Sequence, residues 1–131
     1  MKITPYDRSR DLIIIDAEVW GPRTSELVSL ALDTGSSETV LAPDIVDRLG
    51  YSPRHGEQIT RVRSAVSEEQ GYTLRVLRFA TLGFTLADFR IHVFDLAAGH
   101  GIDGLIGLSF LNHFNYEVRS REGLIRVEQA S

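Results

Sequence analysis

The chain has 131 residues, 43% hydrophobic and 24% charged, which suits one globular domain and excludes both a disordered chain and a two-domain protein. A formal net charge of −4 removes the electrostatic reason to expect nucleic acid or an anionic membrane as partner. The absence of cysteine excludes disulfides, thiolate metal sites and a cysteine nucleophile. No apolar run approaches the roughly 18 residues of a membrane helix. The run Leu12-Ile13-Ile14-Ile15 is too short for a signal-peptide core, so a cytoplasmic protein is the expectation.

Residues 1–11 read as an N-terminal arm or edge strand, because Pro5 does not suit a central ladder. Leu12 to Trp20 reads as a strand with Asp16 and Glu18 on one face. The turn formers from Gly21 to Glu26 predict a reversal, and Leu27 to Leu32 returns as a strand that delivers Asp33. Thr39 to Leu41 is a short strand. Pro43 then opens a helix of about two turns, with Leu41, Ile45 and Leu49 four apart and Gly50 at the cap. Tyr51 to Gln58 is loop. Ile59 to Val66 and Tyr72 to Phe79 form a hairpin with a polar tip around Ser67 to Gly71. After a turn at Thr81-Leu82-Gly83-Phe84, Phe89 to Leu96 reads as a strand buried on both faces. Ala97 to Gly104 is a glycine-rich loop, and Leu105-Ile106-Gly107 leads into helical spacing at Leu108, Leu111 and Phe114. A hairpin from Glu117 through Arg121-Glu122-Gly123 to Val127 closes the chain. The fold class is therefore all-β with two short helices, and a parallel α/β sheet is disfavoured. A weak internal symmetry accompanies it, since each half runs from a β segment through a glycine-containing loop to a short helix.

Asp33-Thr34-Gly35 is the stretch with the strongest chemical content. A carboxylate delivered by an apolar strand is costly to keep ionised without partners, and Gly35 allows a close backbone approach. The plain alternative is that Asp33 caps the turn after a strand. Gly99-His100-Gly101-Ile102-Asp103-Gly104 matches a dinucleotide fingerprint by letters, but that motif needs a long helix and a parallel strand next. Asp103 lacks the Thr-Gly that follows Asp33. His55, His92, His100 and His113 show no metal-binding spacing, and the sequence points to no metal and no cofactor. Ser36, Ser37 and Ser109 lack a nucleophile context and read as turn or cap residues. Trp20, Phe79, Phe84, Phe89 and Phe94 read as core, and Arg61, Arg63, Arg75 and Arg78 as a solvated hairpin face.

Leu30-Ala31-Leu32-Asp33-Thr34-Gly35-Ser36-Ser37 resembles the active-site motif of aspartic proteases. Gly104-Leu105-Ile106-Gly107-Leu108-Ser109-Phe110-Leu111 is similar to the second signature of the retropepsin-like subfamily. The hairpin between them resembles the flap, and the likeness spans roughly residues 12–128 of a single domain covering 1–131. It implies a closed, mostly antiparallel β barrel of the acid-protease type. It also implies an aspartic endopeptidase acting on extended peptide segments. Such chemistry needs two carboxylates sharing a proton. With one Asp-Thr-Gly in the chain, that means a homodimer with one Asp33 from each subunit. Under the resemblance Asp33 is the catalytic carboxylate, Thr34 hydrogen-bonds across the dimer, and Gly35 brings its N–H to the carboxylate. Ser36 offers a hydroxyl to the aspartate, Leu105, Ile106 and Gly107 pack beneath the loop as a pocket wall, and Ala65 and Val66 belong to the flap over the substrate.

Two other readings stand beside this one. The first is a dimeric peptide-binding module on the same fold, catalytically inactive, favoured by a flap tip with Glu68, Glu69 and one glycine where retroviral flaps carry several. The second is a monomeric domain in which Asp33 only caps a turn.

Overall fold

The computed structural model describes residues 1–56, 58–63, 68–96 and 101–129. Strand β2 (Ile14–Trp20) turns at Gly21, whose N–H donates to the Thr24 carbonyl, and pairs antiparallel with β3 (Ser25–Leu32). Its alternation decides which face is inward: Ile15, Ala17 and Val19 are buried and Asp16 is exposed. Short β4 (Val40–Leu41) runs into α1 (Pro43–Leu49). Pro43 occupies the first turn, where its missing N–H costs nothing, and Ile45, Val46 and Leu49 turn inward. Gly50 ends the helix with φ +100°, a conformation that a side chain would strain.

The hairpin pairs β5 (Gln58–Arg63) with β6 (Glu68–Thr81), in register from Gln58↔Thr73 to Arg63↔Glu68. Glu68 to Gly71, assigned from sequence to the tip, are therefore strand residues. Leu82 and Gly83 turn the chain into β7 (Phe84–Val93), which pairs with β6 along its length. Leu82 has φ +55°, unusual for a residue with a side chain, and is buried.

The expectation of a strand over Phe89–Leu96 buried on both faces is corrected. The strand begins five residues earlier, ends at Val93, and alternates buried Phe89, Ile91 and Val93 with exposed Arg90 and half-buried His92. Between Leu77 and Asp88, where Asp88 has φ +53°, no bridge forms, and the inward-facing phase of β6 shifts from Val76 to Phe79.

Strand β8 (Gly104–Ile106) precedes α2 (Leu108–Leu111), followed by β9 (Phe114–Arg119) and β10 (Leu124–Gln129). Helix α2 is shorter than the Leu108–Phe114 spacing predicts, because Phe114 is the first residue of β9. The arm supplies β1 (Lys2–Pro5), the edge strand of a three-stranded sheet ordered β1-β10-β9.

The remaining strands close on themselves in the order β2-β3-β8-β4-β7-β6, with β6 returning to β2, and β5 lies outside the ring on β6. The ring is a six-stranded barrel, antiparallel except for the β3–β8 and β4–β7 ladders. Leu30, Leu41, Phe79, Ile91 and Ile106 fill it, each stabilising the fold by about 1.5–3 kcal/mol through burial. Phe110 of α2 packs on Phe79 and Phe89 with ring centroids 5.6 and 5.9 Å away, and on Phe114 at 5.2 Å. This aromatic cluster ties the helix after β8 to the barrel and sets the position of the loop in front of it. Of the other residues assigned to the core, Trp20, Phe84 and Phe94 are only half-buried.

Candidate active site

Parallel pairing of β3 with β8 aligns Leu30, Ala31 and Leu32 with Gly104, Leu105 and Ile106. Asp33 follows directly and donates its N–H to the Ile106 carbonyl at 2.9 Å. The loop from Asp33 to Glu38 is then held from behind by the start of α2. Leu108 N–H donates to the Ser36 carbonyl and Ser109 N–H to the Ser37 carbonyl, both at 2.9 Å. Gly107 sits so close that a Cβ there would lie 2.1 Å from the Glu38 carbonyl oxygen and 2.7 Å from that of Ser36. No larger residue fits without moving the loop.

The carboxylate itself is half-buried, and Gly35 N–H donates to its Oδ1 at 2.9 Å. This hydrogen bond fixes the carboxylate's orientation. Thr34 and Gly35 are exposed at the loop tip. The Ser36 hydroxyl does not turn to Asp33 as the resemblance implies. It donates to the Glu38 carbonyl at 2.8 Å and closes the loop on itself. Leu105 is half-buried, while Ile106 and Gly107 are buried beneath the loop. Ala65 and Val66 lie outside the described residues.

Asp103 is occupied elsewhere. Its Oδ2 accepts from Ser29 N–H at 2.9 Å, and its own N–H donates to the Ser29 carbonyl at 2.7 Å, so it pins the entry to β8 against β3. Gly104, the last glycine of the dinucleotide-like pattern, starts β8, and α2 beyond it spans four residues. Ser109 is not a helix cap, since its hydroxyl meets that of Thr39.

Sequence reasoning missed two side-chain links. The first is the Thr39 hydroxyl, fully buried, which accepts from Gly107 N–H at 3.3 Å and lies 2.9 Å from Ser109 Oγ. It joins the strand after the Asp33 loop to the start of α2. The second is Glu38, whose Oε2 lies 3.0 Å from Nε2 of His92 on β7. Thr39 and Ser109 stand 70 positions apart, and no local spacing announces either pair. The only sequence signal is a run of hydroxyl residues beside an Asp-Thr-Gly.

At the base of the hairpin, burial pushes the Tyr72 hydroxyl above its ordinary pKa, helped by the charge of Asp47. The Tyr51 hydroxyl is raised chiefly by the same cause, although it accepts a hydrogen bond from Leu77 N–H. Both remain neutral at physiological pH. Among the described residues no three acidic or histidine side chains converge to hold a metal, and no helix is long and apolar enough to cross a membrane.

The family model for aspartyl proteases matches residues 16–110. The chain belongs to the aspartyl protease family. Its fold is similar to that of a retropepsin-like aspartic protease from Rickettsia conorii. That match is 19% identical, covers 95% of this chain and 87% of that one, and has a TM-score of 0.70. It is also similar to the retroviral protease-like domain of Ddi1 from Leishmania major, 15% identical over 89% of this chain and 88% of that one, with a TM-score of 0.61. At these identities the likeness is one of fold. No curated protein sequence matches the chain.

Proposed function

We propose that this aspartyl protease family member is an endopeptidase that works as a homodimer, with Asp33 of each subunit meeting at a twofold axis. The observation that carries the reading is the loop itself. It is rigidly held from behind by Ile106, Gly107 and Leu108, and it leaves Thr34 and Gly35 exposed at its tip. The effort of the fold goes into presenting one carboxylate at a surface. One carboxylate is half of the required pair, and a second copy supplies the other.

Two carboxylates that close share one proton, because both cannot ionise together. The ionised one takes a proton from water, whose oxygen attacks the scissile carbonyl carbon, while the protonated one donates to the carbonyl oxygen. Collapse of the tetrahedral intermediate breaks the C–N bond and returns a proton to the leaving amine. Gly35 N–H keeps Asp33 oriented through this cycle, and Thr34, exposed at the loop tip, would hydrogen-bond across the dimer. An extended peptide lies between the Asp33 loop and the β5–β6 hairpin, pairing as an added strand.

The test is cleavage of an unfolded protein across pH 4 to 7, read by mass spectrometry, with Asp33→Asn beside the wild type and sedimentation of both. Cuts seen with the wild type and lost by at least about a thousand-fold in Asp33→Asn are expected, from a chain that sediments as a dimer. Full cleavage by Asp33→Asn, or cleavage by a strict monomer, overturns the reading.

A further inference from the structure

Two adjoining cavities of about 390 and 410 Å³ form a groove between the outer face of β7 and α2, and both are walled by Glu38, Arg90, Ser109 and His113. The groove ends on Ser37 and Glu38, in the loop that carries Asp33. Its charges are unevenly satisfied. Glu38 is taken by His92 at 3.0 Å, and Asp88 faces Arg75, whose Nη1 lies 3.9 Å from Oδ2 and donates to the Asp88 carbonyl. Arg90 and His113 are exposed and make no ion pair among the described residues. Half-buried Leu86 and Leu108 give the groove an apolar floor beside these two side chains.

We propose that this groove is a binding site for an acidic segment of the substrate polypeptide, lying outside the scissile region, with a carboxylate held between Arg90 and His113. The complementarity is local, since the chain as a whole carries a net charge of −4 and would otherwise repel such a segment. A guanidinium offers a carboxylate two parallel hydrogen bonds, which gives orientation as well as attraction. The site lies against the catalytic loop, so an acidic stretch bound there tethers the remainder of the same polypeptide near Asp33. The proposal rests on the reading of the chain as a protein that takes peptides, but not on cleavage.

The experiment is a titration of ¹⁵N-labelled Asp33→Asn chain at about pH 6, using acetylated and amidated hexaglutamate with hexaglutamine as control. Hexaglutamate is expected to shift the amide signals of Ser37, Arg90, Ser109 and His113, and hexaglutamine to leave them in place. The double variant Arg90→Gln, His113→Gln should weaken hexaglutamate binding about five-fold, the size of two partly exposed charge pairs. Asp88→Asn, which removes a competing charge, should tighten it. Absence of binding, equal shifts with hexaglutamine, shifts confined to other surfaces, or an unchanged dissociation constant in the double variant overturns the proposal. Because binding is read in a chain without Asp33, failure here leaves the peptidase reading standing, and loss of that reading leaves this result intact.

Discussion

Two glycine-containing loops meet in this barrel, and they are built for opposite ends. The loop at Asp33-Thr34-Gly35 follows β3 and turns its tip outward, with Thr34 and Gly35 exposed. The stretch Leu105-Ile106-Gly107 closes the parallel neighbour β8 and is buried at Ile106 and Gly107. The first presents a carboxylate; the second presents only backbone, taking Asp33 N–H on the Ile106 carbonyl and leading into α2, whose Leu108 and Ser109 N–H groups hold Ser36 and Ser37 from behind. The internal symmetry visible in the sequence is thus one of path and not of role. One loop is the proposed site, and the other is the surface that keeps it in place.

Substitutions separate the two roles. The largest effect on stability belongs to the buried loop. Gly107→Ala places a Cβ 2.1 Å from backbone, which cannot move aside as a flexible side chain would. A loss of about 3 kcal/mol is expected, measured by urea unfolding. Less than about 0.5 kcal/mol would show that the loops are not tightly coupled. Next comes Thr39→Val, which keeps the shape but strips Gly107 N–H and the Ser109 hydroxyl of their partner. About 2 kcal/mol should be lost, whereas Thr39→Ser, which retains the hydroxyl, should lose about 1 kcal/mol. Equal losses would mean that packing, and not the hydroxyl bridge, joins the halves.

Gly35→Ala probes the exposed loop. The nearest atom to its added Cβ is Asp33 Oδ1 at 3.2 Å, and among the described residues, its two chain neighbours aside, nothing else lies within 4 Å. Stability should change by less than about 1 kcal/mol, because only the carboxylate has to give way. Under the proposed function, cleavage should nevertheless fall about ten-fold or more, since the proposed catalytic carboxylate is displaced by a few tenths of an ångström. A variant as active as the wild type would deny that Gly35 positions the aspartate.

How far the sequence discloses this arrangement depends on how local the cause is. Pro43 and Gly50 bound α1 where they are expected, because both act through their own backbone. Leu27 to Leu32 leads to Asp33 as an apolar strand should. Phe114 misleads because Leu108, Leu111 and Phe114 all face the core at a spacing of three, which one helical turn followed by a strand satisfies as well as a longer helix. The strand at Phe89 is misplaced because its first half, Phe84 to Asp88, buries no residue fully and its alternation breaks at Ala87 and Asp88, which are both exposed. Ser36 is misassigned for a similar reason: its hydroxyl chooses between two oxygens of one loop, and loop geometry decides for Glu38. The Thr39–Ser109 and Glu38–His92 links depend on chain crossings that no local pattern encodes.

The smallest effect is a control far from both loops. At the β9–β10 turn, the hydrogen bond from Arg119 at 2.7 Å holds the Glu122 carboxyl below its ordinary value of 4.5. A carboxyl depressed in the folded state stabilises the fold above its unfolded pKa, and that contribution fades as pH falls through the folded pKa. Wild type and Glu122→Gln should therefore differ slightly in Tm at neutral pH and converge in acid, below the ordinary carboxylate range. The pair is solvent-exposed, so the difference at neutral pH should be close to the limit of a thermal melt and shrink further in salt. Peptide cleavage by Glu122→Gln should match the wild type at every pH where both are folded. A loss of cleavage comparable to that of Gly35→Ala would extend the catalytic machinery into the three-stranded sheet, and the division of labour between the two loops would no longer describe the molecule.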